Sequence, residues 1–259
     1  MPTALFVSPH LDDVAFSGAG ALLRLRAAGW GAVLVTVFTA TVPDPQGFAL
    51  RCQTDKGLAP DVDYMALRRA EDAAFARIAG VEDVRHWPLP EAPHRGYESA
   101  PDLFAGVHAG DDIWQAVAAR LADLDAALAP ALVFAPQGLG SHVDHWQVIR
   151  AVGAAGLAGR TAWYRDTPYA IRQPDARPAP DLPDGLAERA VMLTPDGLAR
   201  KIAGAGAYAS QIGFQFGGAD GVRHQLTEFA AAEAARAGRD GFAERFLAPP
   251  GLAAEGLWA

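Results

Sequence analysis

Two short polar turns hold side chains suited to chemistry: Ser8-Pro9-His10-Leu11-Asp12-Asp13 and Gly138-Leu139-Gly140-Ser141-His142-Val143-Asp144-His145. The first brings one imidazole and two carboxylates together, and both group types are good ligands for zinc and similar divalent ions. In a tight turn His10 and Asp13 can curl towards one point while Asp12 stands beside it. Adjacent carboxylates can then divide the work, one as ligand and one as base. In the second turn two histidines flank an aspartate. At i, i+3 spacing His142 and His145 can face one side of a first helical turn, and the glycines let backbone pass close to a ligand. Each turn also has a plainer reading. Asp12 and Asp13 would cap a following helix with His10 bonded to a loop carbonyl; Ser141 or Asp144 would cap another, with solvated histidines. The joint pattern favours one metal site: three of the chain's seven histidines fall in two carboxylate-bearing turns.

The elements that must position these turns alternate between strand and helix. Residues 4–9 form a short apolar run that reads as a buried strand. Residues 18–28 read as a helix stopped by Gly29, and the β-branched run 32–40 reads as a second strand of the kind parallel sheets use. Residues 64–79 are expected to be a helix and 84–87 a short strand. Asp111 and Asp112 are expected to cap a helix running to about Leu128. Residues 131–135 should be a strand, 145–157 a helix, 187–193 an outer strand and 226–237 a further helix. Thr194-Pro195 reads as a cap and first helical residue of a segment ending near Tyr208. The stretches 41–63, which holds Cys52, and 88–110 read as long irregular loops, and 172–185 as another. Trp87, His94, Tyr97 and His108 lie in or beside the middle stretch, and Tyr164, Asp166 and Tyr169 are candidates for a pocket rim.

The fold expected is α/β, a Rossmann-like and mostly parallel sheet with helices on both faces. A single domain would span residues 1–259, with a core over about 1–165 and the segment 166–259 completing the pocket. Ligands in such sheets sit outside the carboxyl ends of the strands, and both polar turns follow strands, so they should meet at one rim.

Composition narrows the partners. The chain has 259 residues, 51% hydrophobic and 20% charged, with a formal net charge of -8. No basic patch of the kind nucleic-acid binding needs is visible. No apolar run approaches the roughly 18 residues of a membrane helix, and the N-terminus lacks a basic region typical of a secretory signal, so a cytoplasmic location is the expectation. One cysteine, Cys52, excludes an internal disulfide framework. Homo-oligomerisation is left open.

The two turns resemble the motifs of the LmbE-like, or PIG-L, family of zinc-dependent N-acetylglucosaminyl deacetylases. The family's His-Pro-Asp-Asp-Glu reads here as His10-Leu11-Asp12-Asp13-Val14, and its His-x-Asp-His as His142-Val143-Asp144-His145. A helical Arg-x-x-Glu is matched by Arg68 and Glu71. Lys201, Ser210 and Gln211 fit a later motif in which Gly204 stands where alanine is expected. The resemblance implies a hydrolase that removes an N-acyl group, chiefly acetyl, from an N-acetylglucosamine-containing small molecule. It implies a zinc ion, or Fe2+, held by His10, Asp13 and His145, with Asp12 as general base towards a metal-held water. His142, if protonated, would stabilise the oxyanion, Asp144 would orient His142, and Arg68 would contact substrate. The departure at Val14 leaves that ligand set intact and bears on the substrate branch. Two rivals stand beside this reading. His10, Asp12 and His145 also spell the facial triad of a non-haem iron oxygenase, and a non-catalytic sugar-binding protein would use the same fold.

Overall fold

The computed structural model describes residues 1–252, 254 and 256–258. Its strands are β1 (Thr3–Ser8), β2 (Gly31–Thr36), β3 (Asp83–His86), β4 (Leu132–Pro136), β5 (Thr161–Tyr164), β6 (Ala187–Leu193) and β7 (Phe242–Ala248). Its helices are α1 (Asp13–Ser17), α2 (Ala19–Ala27), α3 (Gly47–Thr54), α4 (Tyr64–Ala79), α5 (Trp114–Leu128), α6 (Val143–Ala154), α7 (Tyr169–Arg172), α8 (Pro195–Gly206), α9 (Ala209–Phe216) and α10 (Ala219–Arg236). The seven strands form one sheet in the order β3-β2-β1-β4-β5-β7-β6. The first five run parallel, and β7 runs antiparallel to both β5 and β6.

A central parallel strand is covered on both faces, which is why β1 and β4 are almost wholly apolar. Side chains alternate across the sheet. Ala4 and Phe6 join a core with Phe16, Leu22, Phe75, Leu198 and Leu226 from α1, α2, α4, α8 and α10. Leu5 and Val7 face the other way, towards Val117 and Leu121 of α5 and Val148 and Val152 of α6. Helices thus cover both faces of the mostly parallel sheet, as expected. Phe6 and Phe134 stack across β1 and β4 with ring centroids 4.4 Å apart. This pairing helps lock the two strands whose ends carry the polar turns.

Local signals in the chain explain several element ends. Asp63 caps α4 by accepting from the Ala66 N–H at 2.9 Å, and Gly80 closes it in the left-handed conformation. Thr194 caps α8 on the Gly197 N–H at 3.0 Å, with Pro195 in the first turn. Other expectations are corrected. Helix α3 lies inside the stretch read as a loop and carries Cys52. Helix α5 begins at Trp114 with no side-chain cap, because Asp111 is engaged by Arg95 at 3.0 Å instead. Strand β7 escaped the sequence reading because Glu244 and Arg245 interrupt its apolar pattern. Both charges are matched: Glu244 accepts from Lys201 at 2.6 Å and from the Gly20 and Ala21 N–H groups at 2.8 and 2.9 Å, while Arg245 donates to Glu233 at 3.1 Å and Glu188 at 2.9 Å.

Gly204 has a packing reason. A Cβ there would lie 2.9 Å from the Phe75 ring, so α8 approaches α4 more closely than an alanine permits. Among the described residues no helix is long and apolar enough to cross a membrane.

Candidate functional site

Strand order reverses between β1 and β4, with β2 and β3 on one side and β5 on the other. This leaves a crevice beyond the carboxyl ends of the two strands, the usual ligand position of open α/β sheets. The turn after β1 is tied by its own side chains. Ser8 Oγ donates to the His10 carbonyl at 2.6 Å and accepts from the Val14 N–H at 3.2 Å, and the His10 N–H donates to Asp13 Oδ2 at 2.8 Å. The turn after β4 needs left-handed backbone at Gly138, Gly140 and Ser141. At Gly140 a Cβ would also lie 2.6 Å from the Tyr169 ring.

These turns bring His10, Asp12, Asp13, His142, Asp144 and His145 together, and all but the fully buried His145 line the base of one cavity of about 310 Å³. Asp13 Oδ2 lies 3.4 Å from His10 Nδ1 and 3.4 Å from His145 Nε2. A tetrahedral ion with bonds of about 2.0–2.1 Å separates its ligands by about 3.3–3.4 Å. The His145 Nε2 atom is buried and has no hydrogen-bond partner, a costly state that a bound cation would relieve. A wider set of ring nitrogens, on His10, His142 and His145, lies within 4.8 Å of one another, so His142 borders the same point. The donor set of imidazoles and one carboxylate fits zinc or ferrous iron.

Each of the two imidazoles facing Asp13 is held from behind. The His10 Nε2–H donates to Asp144 Oδ2 at 2.9 Å, so Nδ1 is the nitrogen turned towards Asp13. Asp144 also accepts from the Ala92 N–H at 3.1 Å and pairs with Arg95 at 2.8 Å. Arg95 is gripped by Asp111, which accepts from Tyr97 OH at 2.9 Å. His145 Nδ1 meets Asp166 Oδ1 at 2.5 Å, and Asp166 accepts the Leu139 N–H at 3.0 Å. Carboxylates placed this way fix ring orientation and tautomer and raise ligand basicity.

This wiring adds to the role expected for Asp144. Its carboxylate bonds to His10, while its backbone N–H reaches His142. His142 is the N-cap of α6, so its Nδ1 turns back to accept the Asp144 backbone N–H at 3.2 Å. Burial, together with His10 nearby, pushes the pKa of His142 well below the ordinary value. With Nδ1 accepting an N–H, the proton of the ring sits on Nε2, the neutral form.

The two adjacent aspartates occupy opposite environments. Burial raises the Asp12 carboxyl to about 7, with Arg68 pulling against the shift and Asp13 adding to it. Asp13 is also buried, but His145 and His10 hold it well below the usual carboxylate range. Asp12 Oδ2 faces Arg68 at 3.4 Å, which speaks against a His10, Asp12 and His145 triad. Arg68 is buried and bridges Asp12, the Leu11 carbonyl at 3.2 Å and Glu91 at 2.6 Å.

Of the remaining motif residues, Gln211 lines the cavity, Glu71 and Ser210 bond to each other, and Lys201 lies apart on Glu244. Glu71 accepts from the backbone and hydroxyl of Ser210, both at 2.7 Å, and Gln211 donates to Tyr64 OH at 3.0 Å. Of the rim candidates, Tyr169 lines the cavity, Tyr164 is buried and donates to the Val7 carbonyl at 3.0 Å, and Asp166 stands behind His145. Trp87 and Tyr97 are buried, His108 stacks on Tyr97 with centroids 4.0 Å apart, and His94 borders a separate small pocket. Glu91, Arg95, Phe104 and Phe214 escaped the sequence reading, since each is one residue of a common type without a spaced partner. Cys52 lines the cavity, and burial raises its thiol to about 11, so it is protonated and a poor nucleophile.

Comparison with known proteins agrees with this geometry. The family model described as PIG-L, GlcNAc-PI de-N-acetylase, matches residues 5–156. The 2'-N-acetylparomamine deacetylase of Streptomyces fradiae is 36% identical over 168 residues, covering 64% of this chain and 57% of that protein. The zinc-inhibited form of teicoplanin deacetylase Orf2 superposes with a TM-score of 0.79 at 26% identity, covering 95% of this chain and 97% of that one. The deacetylase Dbv21, which acts on the A40926 pseudoaglycone, superposes with a TM-score of 0.80 at 26% identity, covering 97% and 98%.

Proposed function

The chain belongs to the PIG-L family, and from that premise we propose that it is a metal-dependent hydrolase removing an N-acyl group, chiefly acetyl, from an amino-sugar conjugate. The observation that carries this reading is the division between Asp13, set between two imidazoles at 3.4 Å, and Asp12, set apart on Arg68. His10, Asp13 and His145 would hold the ion. When bound, it supplies Lewis acidity to an acyl carbonyl and to water.

The chain's own groups supply the rest. Asp12, raised to about 7, is matched to neutral pH as a base that takes a proton from the attacking water and returns it to the leaving amine. Water adds across the C–N bond, giving a carboxylate and a free amine. Neutral His142 donates its Nε2–H to the developing oxyanion. Arg68 fixes the position of Asp12 and balances its charge. Asp144 and Asp166 hold the His10 and His145 rings in place. Residues 1–259 would act as one catalytic unit: Thr167, Pro168, Tyr169 and Arg172, with Gln211, Phe214 and Gln215, bring the 166–259 segment to the same cavity as the first turns.

The test is primary-amine release from a panel of N-acetyl amino-sugar conjugates, before and after chelation, with zinc or ferrous iron restored. Release that chelation abolishes and metal restores is expected. No release from any conjugate in the presence of metal overturns the reading, and release untouched by chelation overturns its metal dependence.

A further inference from the structure

The mouth of the cavity differs in chemistry from its base. Four large hydrophobic residues are exposed among the described residues, Met1, Val62, Phe104 and Phe214, and two of them stand at this mouth. Phe214 is 63% exposed on α9 and Phe104 is 40% exposed. Phe104 packs edge-on against His142, with centroids 5.4 Å apart, and against Tyr169 at 5.9 Å. Phe48 of α3 lines the same opening. Aromatic side chains from three separate segments therefore ring the entrance. Exposed apolar surface gathered at one opening marks a binding surface.

Charge selects among the bodies such a ring could hold. Lys56 lies 5.1 Å from the Tyr64 ring centre and 5.6 Å from that of Phe214, and its Nζ is anchored to the Cys52 carbonyl at 2.6 Å. Arg172 is held at the mouth by the Gln215 carbonyl at 2.7 Å. The inner carboxylates are already matched: Asp12 and Glu91 by Arg68, Asp13 by His10 and His145, Asp144 by Arg95. Asp55 is the one lining carboxylate without a partner among the described residues, and it adjoins Lys56. A substrate with several free ammonium groups would find two fixed cations and apolar rings here, with one exposed carboxylate to answer them.

We infer that the amino sugar is presented on an apolar body that carries no positive charge, and that the ring of Phe48, Phe104 and Phe214 with Lys56 and Arg172 selects this body over a polyamino sugar. The inference rests on the N-deacetylase reading and deepens it. A flat aryl group stacks on phenylalanine rings and its electron-rich face meets the Lys56 ammonium. A second aminated ring brings cations to the same place and is repelled.

The experiment compares phenyl N-acetyl-β-glucosaminide, methyl N-acetyl-β-glucosaminide and a mono-N-acetylated aminoglycoside with its other amines free. Amine or acetate release is followed with zinc-supplied protein, and dissociation constants are measured by calorimetry on the same compounds. The phenyl glycoside is expected to exceed the methyl glycoside by about tenfold in kcat/KM, with the aminoglycoside lowest. Phe214→Ala should bring the phenyl-to-methyl ratio towards one. The Lys56→Glu, Arg172→Glu double variant should raise the aminoglycoside relative to the phenyl glycoside. A wild-type preference for the aminoglycoside, equal use of phenyl and methyl glycosides, or a ratio unmoved by Phe214→Ala overturns the inference. If no compound releases amine, the N-deacetylase reading fails, and the ranking of dissociation constants decides the mouth's selectivity separately.

Discussion

The base and the mouth of the cavity are built on different plans. At the base, polar side chains leave the ends of β1 and β4 and nearly every one is held by a second group. His10 rests on Asp144, His145 on Asp166, Asp12 on Arg68. At the mouth, rings project from α3, α9 and a short 3-10 turn, and two of them are exposed, Phe214 more than Phe104. Chemistry needs geometry fixed within a fraction of an ångström, so it sits on strand ends. Selection among substrates needs surface that varies without disturbing the sheet, so it sits on the connections.

Substitutions can break or sharpen this contrast. The largest effect is expected at His145: His145→Ala should lose the metal and fall to background turnover, read by elemental analysis beside the amine assay. Metal retained at one equivalent in that variant would remove His145 from the ligand set. Asp12→Ala should keep the metal and lose on the order of 100-fold or more in turnover, the scale of a lost general base. Near-normal turnover would return Asp12 to a structural role. Arg95→Ala acts at one remove, because it leaves the Asp144 carboxylate buried with less compensation behind His10. A drop in metal affinity of about 10–100-fold is expected, measured by competition with a chelating dye, and an unchanged affinity would detach Arg95 from the site.

Smaller effects separate stability from chemistry. Asp111 works against its burial, but Arg95, then Tyr97 and Gln147, hold its pKa below the ordinary carboxylate value. A depressed folded-state pKa gives stability that is present above the unfolded value and lost as pH falls through the folded one. Asp111→Asn should therefore flatten the acid side of the pH–stability curve below about pH 4, seen in thermal melts, and an unchanged acid slope would exclude the contribution. Asp63→Ala, far from the base, should cost about 1 kcal/mol through the lost cap of α4, read from denaturant midpoints.

The same contrast decides what the sequence discloses. His10, Asp12, Asp13, His142 and His145 are legible because rare residue types crowd into two turns after apolar strands. Their convergence follows from the sheet, and the α/β alternation through 165 is legible from the apolar runs. The roles of Asp144 and Asp166 are not legible, since which imidazole a carboxylate reaches depends on three-dimensional facing. Arg95, in an irregular stretch, gains meaning only by pairing with Asp111 and Asp144 across the fold. Strand β7 is hidden by Glu244 and Arg245, whose partners lie on other elements. The mouth is least legible of all, because single phenylalanines in unlike segments carry no pattern until they are brought together.

The central claim is that two neighbouring aspartates do different work, Asp13 holding the ion and Asp12 moving the proton. Metal content and amine release of Asp12→Asn and Asp13→Asn, prepared side by side with zinc, test it directly. The account predicts one equivalent of zinc with severely reduced release in Asp12→Asn, and loss of zinc in Asp13→Asn. Zinc lost from the first and kept by the second would contradict it.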